Sequence, residues 1–277
     1  MGNVVSFFNL AGPNYTLMFT KLFCITLALQ ISLNFKAQLR YFQTEPRKIY
    51  GAPLTLLDIL KLPELNTVQF ISSGLGLICC LLLAAAGVVT RLFIGIAIPL
   101  YFLYFNQIIS LAYVQRKTNI LPLVLLILLV SPSVTLPLGN MASVKWPIIL
   151  IEACIAQLYL SSGVQKLKQS GLGWCNGETL QAHLFANYLW SDRKTGFIIA
   201  QKRWLCTLLS IFTMLFELSF WLILFFPQLT YIYVSAALLF HLGTLLTMRI
   251  NYLKYLLPVY MVFFTQFAFS LQHKLWP

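Results

Sequence analysis

The stretch YLSSGVQKLKQSGLGWCNGETLQAHL, residues 159–184, is a polar interruption in a chain that is otherwise almost continuously apolar. Apolar segments of membrane-spanning length lie on both sides of it, at 146–164 and at 204–227. The stretch contains two lysines, an acid, a tryptophan and several glycines, and hydrocarbon does not solvate its polar groups. We therefore expect it to leave the hydrocarbon core, while the apolar segments around it build a helical membrane bundle.

The amino-acid composition of the whole chain also indicates a membrane protein. Of the 277 residues, 59% are hydrophobic and 9% are charged, whereas soluble domains carry about 25% charged residues. The net charge of +12 would suit nucleic acid. However, the basic residues follow the ends of apolar segments, where such residues set topology and contact anionic lipid. We expect membrane lipid as a partner and no nucleic-acid partner.

Eight segments have the length and apolar character of transmembrane helices, which need about 20 residues to cross the hydrocarbon core. The fold class that we predict is all-α, a polytopic integral membrane bundle of about eight transmembrane helices. We expect it to form a single transmembrane domain over residues 1–277, with no soluble domain. The eight segments are 15–35, 68–89, 92–113, 120–137, 146–164, 204–227, 231–248 and 252–270.

Two further segments are predicted to be helices that do not span. APLTLLDILKL, residues 52–62, is amphipathic, and we expect it to lie in the membrane interface. NGETLQAHLFANYLW, residues 176–190, begins with a capping Asn176, and its Leu180, Leu184 and Tyr188 repeat every four residues. This second helix is too polar to span, so we expect it to cover the mouth of the bundle.

The basic residues are distributed unevenly between the two membrane faces. With eight spans, one face holds fifteen of the 19 Lys and Arg residues, and the positive-inside rule makes that face cytoplasmic. Both termini then lie on the opposite side. The fifteen are Lys36, Arg40, Arg47, Lys48, Lys61, Arg116, Lys117, Lys166, Lys168, Arg193, Lys194, Lys202, Arg203, Arg249 and Lys254.

One face of the fifth span carries a possible site. Glu152, Tyr159, Gly163 and Lys166 have the spacing i, i+7, i+11, i+14 and share one side of a helix. Burial against apolar walls can lower the pKa of a lysine far enough to give a neutral amine that accepts a proton. The alternative is a lysine that snorkels from a helix end to the membrane surface, which is the commonest role of such a residue.

Glu217 and His241 are titratable residues inside two later spans. Ionisable side chains in a span normally face the bundle interior and find a partner, so we predict that these two pair with each other. The pair could be functional or only structural. The chain has no HExxH, GxSxG, P-loop or GxGxxG motif, and its six cysteines show no metal-binding spacing. We expect no bound metal.

The motif Tyr-x-x-x-Gly-x-x-Lys-Leu, followed by Trp-x-x-Gly, resembles the signature of the HTTM family, the membrane domain shared with vitamin K-dependent gamma-carboxylases. The segments FELSFWLILFF (216–226), LLFHLGTLLTMRI (238–250) and AAAGVVTRLFIGIAIPL (84–100) are also similar to spans and turns of this family. The resemblance extends over roughly residues 15–270. The motif residues are Tyr159, Gly163, Lys166, Leu167, Trp174 and Gly177.

The resemblance implies an enzyme that uses reduced vitamin K or another lipid quinol. In the carboxylases the lysine at the position of Lys166 deprotonates vitamin K hydroquinone, and oxygen addition then creates the base that activates the substrate glutamate for CO2. We expect Lys166, Glu217 and His241 to be the catalytic residues. Gly163 would leave room for a flat ring, and Trp174 would provide an apolar wall. Substrate contacts are expected from these two and from Tyr159 and Gly177.

The sequence departs from the carboxylases in two places. The histidine that assists their lysine ahead of the fourth span is replaced by Arg116, Lys117 and Thr118, and their large extramembrane domain is not expected here. A peptide or a separately encoded soluble subunit is therefore a candidate partner. The alternative function is a non-enzymatic maturation or immunity factor for an exported peptide. In the carboxylases the face with the lysine is lumenal, and we follow the charge count, which makes it cytoplasmic.

Overall fold

The computed structural model describes residues 13–44, 65–109, 120–131, 146–191 and 194–275. These residues form α-helices, three short 3₁₀ helices and their connections, and they contain no strand. The all-α prediction is therefore confirmed for this part of the chain. The helices are α1 (Pro13–Thr44), α2 (Thr67–Ala85), α3 (Thr90–Ile109), α4 (Ile120–Val130), α5 (Trp146–Ser170), α6 (Glu178–Ser191), α7 (Lys194–Ala200), α8 (Arg203–Ser219), α9 (Thr230–Met248) and α10 (Leu253–Leu275).

Five helical stretches within the described ranges are long and apolar enough to cross a membrane, which is consistent with an integral membrane protein. The predicted third and fourth spans fall on shorter apolar helices, Thr90–Phe105 and Ile120–Val130, and the eighth falls on α10. The predicted amphipathic segment 52–62 and the departure at 116–118 lie outside the described residues. The five stretches are Tyr15–Arg40, Thr67–Ala85, Trp146–Asn176, Arg203–Leu224 and Pro227–Met248.

The chain divides into two compact units, and the first comprises residues 1–151 and 257–277. A column of aromatic rings joins α1, α2 and α3 in this unit: Phe70 stacks on Phe42 at 4.3 Å and on Tyr104 at 4.7 Å between ring centroids. Gly74 leaves the space that this column needs, because a Cβ atom there would lie 2.6 Å from the rings of Phe35 and Tyr104. The buried Tyr104 hydroxyl donates to Gln38 at 2.7 Å, which satisfies both polar groups.

The second unit comprises residues 152–256 and contains α6–α9 together with most of α5. In α6, Leu184 is buried with Ala200 and Cys206, and Leu180 packs against the same cluster. Tyr188 contacts Phe197 with ring centroids 4.5 Å apart. The predicted stripe of α6 therefore faces protein. The prediction of a single domain over residues 1–277 stays a prediction.

Candidate functional site

Lys166 on α5 and Glu217 on α8 form an ion pair within the second unit. The Lys166 Nζ lies 2.5 Å from Glu217 Oε1 and also contacts Oε2, so the ammonium bridges both carboxylate oxygens. Charge-assisted bonds of this kind are stronger than bonds between neutral groups. The Glu217 side chain is 4% exposed and that of Lys166 is 21% exposed. The carboxylate is thus buried behind the amine, and an approaching molecule meets Lys166 first.

Ser162 completes this ion pair. It lies four residues before Lys166 on α5, which places both side chains on the same face of the helix. The Ser162 hydroxyl donates to Glu217 Oε1 at 3.2 Å and accepts from Lys166 Nζ at 3.1 Å. We did not single out Ser162 from the sequence, although its i, i+4 relation to the motif lysine was a usable signal. The three side chains form one connected network.

Trp174 covers Lys166, as the sequence predicts. The Lys166 Nζ lies 5.1 Å from the centroid of the Trp174 ring, within the range of a cation–π interaction. The tryptophan is carried by the 3₁₀ helix Gly171–Asn176, which continues directly from α5. Gly171 precedes the tryptophan at φ +57°, a left-handed conformation that glycine adopts without steric cost. The chain can therefore turn back over the amine.

Tyr159 and His241 form a second polar contact, and this corrects the predicted pairing of Glu217 with His241. The Tyr159 hydroxyl and His241 Nε2 lie 2.7 Å apart, and both residues are buried. Glu217 instead bonds to Lys166 and Ser162. The sequence identified Glu217 and His241 as ionisable residues inside spans but predicted the wrong partner for each. Hydropathy shows which residues lie in spans, and it does not show which spans are adjacent.

Aromatic rings enclose the contact between Tyr159 and His241. The Tyr159 ring stacks on Phe220 at 4.2 Å and meets the edge of Phe216 at 5.2 Å between centroids. His241 lies 5.4 Å from the Tyr252 ring. Phe216 and Phe220 flank Glu217 and repeat at i, i+4 on α8 and the 3₁₀ helix that follows it, a pattern that sequence reasoning did not use. Aromatic side chains from α8, from the 3₁₀ helix that follows it and from the connection between α9 and α10 therefore line this contact.

Gly163 has a different role from the one expected. A Cβ atom at this position would lie 2.9 Å from Leu218 Cδ2 and 3.2 Å from the Glu217 Cβ. The space beside Gly163 is therefore occupied by α8, and no room remains there for a flat ring. This close approach of α5 to α8 is what allows Lys166, one turn further on, to reach Glu217. Gly163 thus positions the ion pair.

Gly177 holds the other end of the segment that covers the site. It has φ +83°, and a Cβ atom there would lie 2.5 Å from the backbone nitrogen of Thr207. The Thr207 hydroxyl donates to the Asn176 carbonyl oxygen at 2.9 Å, and the Asn176 side chain accepts from the Glu178 N–H at 2.9 Å. Asn176 thus bonds to the first N–H of α6, but Gly177 and not Asn176 occupies the N-cap position, because the Gly177 carbonyl accepts the first intrahelical bond from Gln181. This geometry gives Gly177 a structural role, and its predicted contact with substrate stays a prediction.

Lys166 and Glu217 both fall within the limits of candidate spans. Each helical residue adds 1.5 Å, so Glu217 lies about 21 Å along α8 from Arg203. Lys166 precedes the end of the stretch Trp146–Asn176. A lysine that is only snorkelling would direct its amine to the surface, but Lys166 directs its amine to a buried carboxylate. The geometry therefore disfavours the snorkelling alternative.

Two other residues that the sequence drew attention to lie on helices of this unit. Glu152 is partly buried on α5, and His183 is exposed on α6, as expected for a solvated side chain. Among the described residues, no group of three His, Cys, Asp or Glu side chains could hold a metal ion. The described site thus consists of two polar contacts, the network of Lys166 with Glu217 and the contact of Tyr159 with His241.

Comparison of the chain with protein-family models, curated proteins and solved structures finds no match. The resemblance to the HTTM family therefore depends on the motif residues themselves. Of those, Tyr159, Lys166 and Trp174 contribute side chains to the two contacts described above. Gly163 and Gly177 provide the close backbone approaches that hold the site together.

Proposed function

We propose that this chain is the core of a lipid-quinol-linked membrane enzyme of the HTTM type, similar to the vitamin K-dependent gamma-carboxylases. The observation that carries the proposal is the ion pair of Lys166 with the buried Glu217, which lies inside candidate membrane spans. Buried ionisable groups in a membrane span are costly and usually serve function. An enzyme that removes a proton from a lipid-soluble molecule needs a proton acceptor at this depth.

The chemistry of the site fits a quinol. A quinol has a flat apolar ring and a weakly acidic hydroxyl group, and it supplies reducing equivalents once that proton has been removed. The site offers a lysine whose side chain is 21% exposed, with the Trp174 ring beside its amine. The amine can bind a hydroxyl oxygen while the indole contacts the ring. Reduced vitamin K is the quinol that the resemblance implies.

Lys166 and Glu217 would act together as the proton acceptor. Lys166 faces the ligand, and Glu217 lies behind it and contacts the same nitrogen. Lys166 passes one proton to a Glu217 oxygen and receives one from the ligand hydroxyl. The ammonium is thereby restored and keeps a positive charge beside the site where negative charge develops. Ser162 holds the two groups in register through its bonds to both.

Tyr159 and His241 would provide the second polar contact of the pocket. Tyr159 precedes Lys166 by seven residues on α5, which corresponds to about 10.5 Å along the helix. An imidazole nitrogen can accept or donate a proton, and the phenol can pass it on through the 2.7 Å contact. We assign His241 a catalytic role and Tyr159 a role in substrate binding.

The membrane arrangement that we propose has eight spans and cytoplasmic basic loops. The helices at the predicted third, fourth and eighth positions would complete the count, and the positive-inside rule sets the orientation. The site would then open towards the side of the 165–203 segment, because Lys166 and Trp174 begin that segment. A peptide or a separately encoded soluble subunit would bind on the same side.

The test is to purify the protein from membranes and identify lipid-soluble molecules that accompany it by mass spectrometry. We expect a quinone to copurify with the wild type and to be lost from Lys166→Met. Lys168→Met is the matched control, because Lys168 is an exposed lysine on the same helix, and it should retain the quinone. Equal recovery from both variants, or no quinone from a folded wild type, would contradict the proposal and favour a non-enzymatic maturation or immunity factor.

A further inference from the structure

Helices α6 (Glu178–Ser191) and α7 (Lys194–Ala200) pack against each other as a hairpin that the proposed chemistry does not explain. At 14 residues α6 is about 21 Å long, and α7 has seven residues, so neither crosses a hydrocarbon core of about 30 Å. The candidate spans on either side are Trp146–Asn176 and Arg203–Leu224. The hairpin therefore begins and ends on the same membrane face.

The hairpin packs against the ends of two spans. The buried cluster beneath it consists of Leu184, Ala200 and Cys206, with Met248 packed against it. Cys206 lies in the first turn of α8, and Met248 is the last residue of α9. Trp204, which is 63% exposed in the same first turn of α8, belongs to the residue type enriched at membrane–water interfaces. The hairpin thus lies at the level where the spans leave the hydrocarbon core.

Three large apolar side chains are exposed on the outer surface of this segment. Leu189 on α6 is 82% exposed, Leu172 in the preceding 3₁₀ helix is 78% exposed, and Ile198 on α7 is 56% exposed. Within the described ranges, Leu189 and Leu172 are the most exposed large apolar side chains. Leu189 lies on α6, which is too short to span, and Leu172 lies in the last residues of the candidate span Trp146–Asn176. In water such exposure is unfavourable, so an apolar medium is expected to cover them.

Lysines accompany these apolar side chains. Lys168, Lys194 and Lys202 are exposed on the same segment. The acid Glu178 is already paired with Arg203 at 2.6 Å. The local surface therefore combines exposed leucines and isoleucine with a positive charge, which is the composition of helices that lie in the interface of an anionic membrane.

We propose that the α6–α7 hairpin is an interfacial anchor whose partner is the anionic phospholipid of the leaflet on its own side. Leu172, Leu189 and Ile198 insert among the upper parts of the acyl chains. Lys194 and Lys202 bind phosphate groups of the lipid heads. The anchor holds the segment that carries Trp174 against the membrane, next to the route by which a lipid-soluble ligand would reach Lys166. The inference itself does not depend on the identity of that ligand.

The first test measures which medium contacts the outer face of α6. Leu189→Trp places an indole on that face, and His183→Trp is the matched control on the flank of the same helix. Each variant is reconstituted in vesicles of phosphatidylcholine and phosphatidylglycerol, and the added emission relative to wild type is measured. We expect lipids brominated near the head of the acyl chain to quench Leu189→Trp strongly and His183→Trp weakly. Quenching of Leu189→Trp by aqueous iodide alone would overturn the proposal and indicate a face open to water or to a soluble partner.

The second test measures the lipid charge that the hairpin selects. In the Leu189→Trp protein, quenching by brominated phosphatidylglycerol is compared with quenching by brominated phosphatidylcholine. An interfacial lysine contributes about 1 kcal/mol of attraction to anionic lipid, so Lys194→Gln with Lys202→Gln should lower the preference for phosphatidylglycerol roughly 30-fold. The control, Lys36→Gln with Lys254→Gln, removes the same charge outside the hairpin and should leave the preference unchanged. Equal loss in both double variants would overturn the assignment to these lysines.

Discussion

Replacing one member of the Lys166–Glu217 pair should lower the free energy of unfolding, because the other member is left without its partner. Lys166→Met leaves a carboxylate that is 4% exposed without its partner, and breaking a buried pair in this way costs about 3–5 kcal/mol. Glu217→Gln leaves a lysine that is 21% exposed and can reach water or Ser162. We expect a smaller cost for this variant, roughly 1–3 kcal/mol.

The double variant measures the coupling between the two residues. In Lys166→Met with Glu217→Gln no charge is left unpaired, so the loss should fall short of the sum of the single losses by roughly 2 kcal/mol. The free energy of unfolding is measured by reversible SDS titration in mixed micelles, with helix content as the signal. Additive single effects would refute the pairing.

A matched cycle on Glu217 and His241 is the control. The structure gives these residues separate partners, so Glu217→Gln and His241→Ala should be additive within about 0.5 kcal/mol. Strong coupling here, together with additivity in the first cycle, would restore the pairing predicted from the sequence and contradict the structure.

Three further predictions follow from the packing around the site. Gly177→Ala should lower the free energy of unfolding by roughly 2–5 kcal/mol through left-handed strain and overpacking. Gly171→Ala has nothing within 4 Å of its Cβ position, so it should lose only the strain of about 1–2 kcal/mol. Thermal unfolding in detergent measures both. Tyr159→Phe should lower the free energy of unfolding by about 1–3 kcal/mol because it removes the hydroxyl that contacts the buried His241 nitrogen. A loss below this range in the same assay would contradict the 2.7 Å contact. Cys175 should be the thiol that a membrane-impermeant maleimide labels, and the proposed cytoplasmic orientation means that labelling requires permeabilisation. Cys79 is also exposed, but it lies on a candidate span, where lipid would shield it from the reagent. Labelling of Cys175 in intact cells would reverse the orientation.

The helical class and the positions of the main helices could be predicted from the sequence because hydrophobic burial in lipid leaves a strong and simple pattern. The polar interruption and the stripe of Leu180, Leu184 and Tyr188 correctly indicated a packed, non-spanning helix. The prediction was less accurate for the apolar segment 120–137, which was expected to span, because the described helix Ile120–Val130 has 11 residues. Hydropathy indicates that a segment lies in an apolar environment, but it does not determine where the helix ends.

The pairing within the site could not be predicted in the same way. Glu217, His241, Lys166 and Tyr159 were all recognised as unusual, but which of them touch depends on which helices approach closely. That approach is decided by Gly163, whose missing side chain lets α8 come within contact distance of α5. The sequence shows that Gly163 leaves space but does not show which neighbour occupies that space. We therefore expected a ligand where the structure places α8.

The central claim is that Lys166 relays a proton in a lipid-quinol reaction, and Lys166→Arg tests it most directly. Arginine can keep the contact with Glu217, so the protein should fold. However, arginine does not deprotonate in proteins and cannot pass a proton to the carboxylate. The measurement is oxygen consumption driven by reduced vitamin K in reconstituted vesicles, with Lys168→Arg as the control. We predict that Lys166→Arg abolishes the wild-type rate and that Lys168→Arg retains it; an unchanged rate in a folded Lys166→Arg protein would contradict the account.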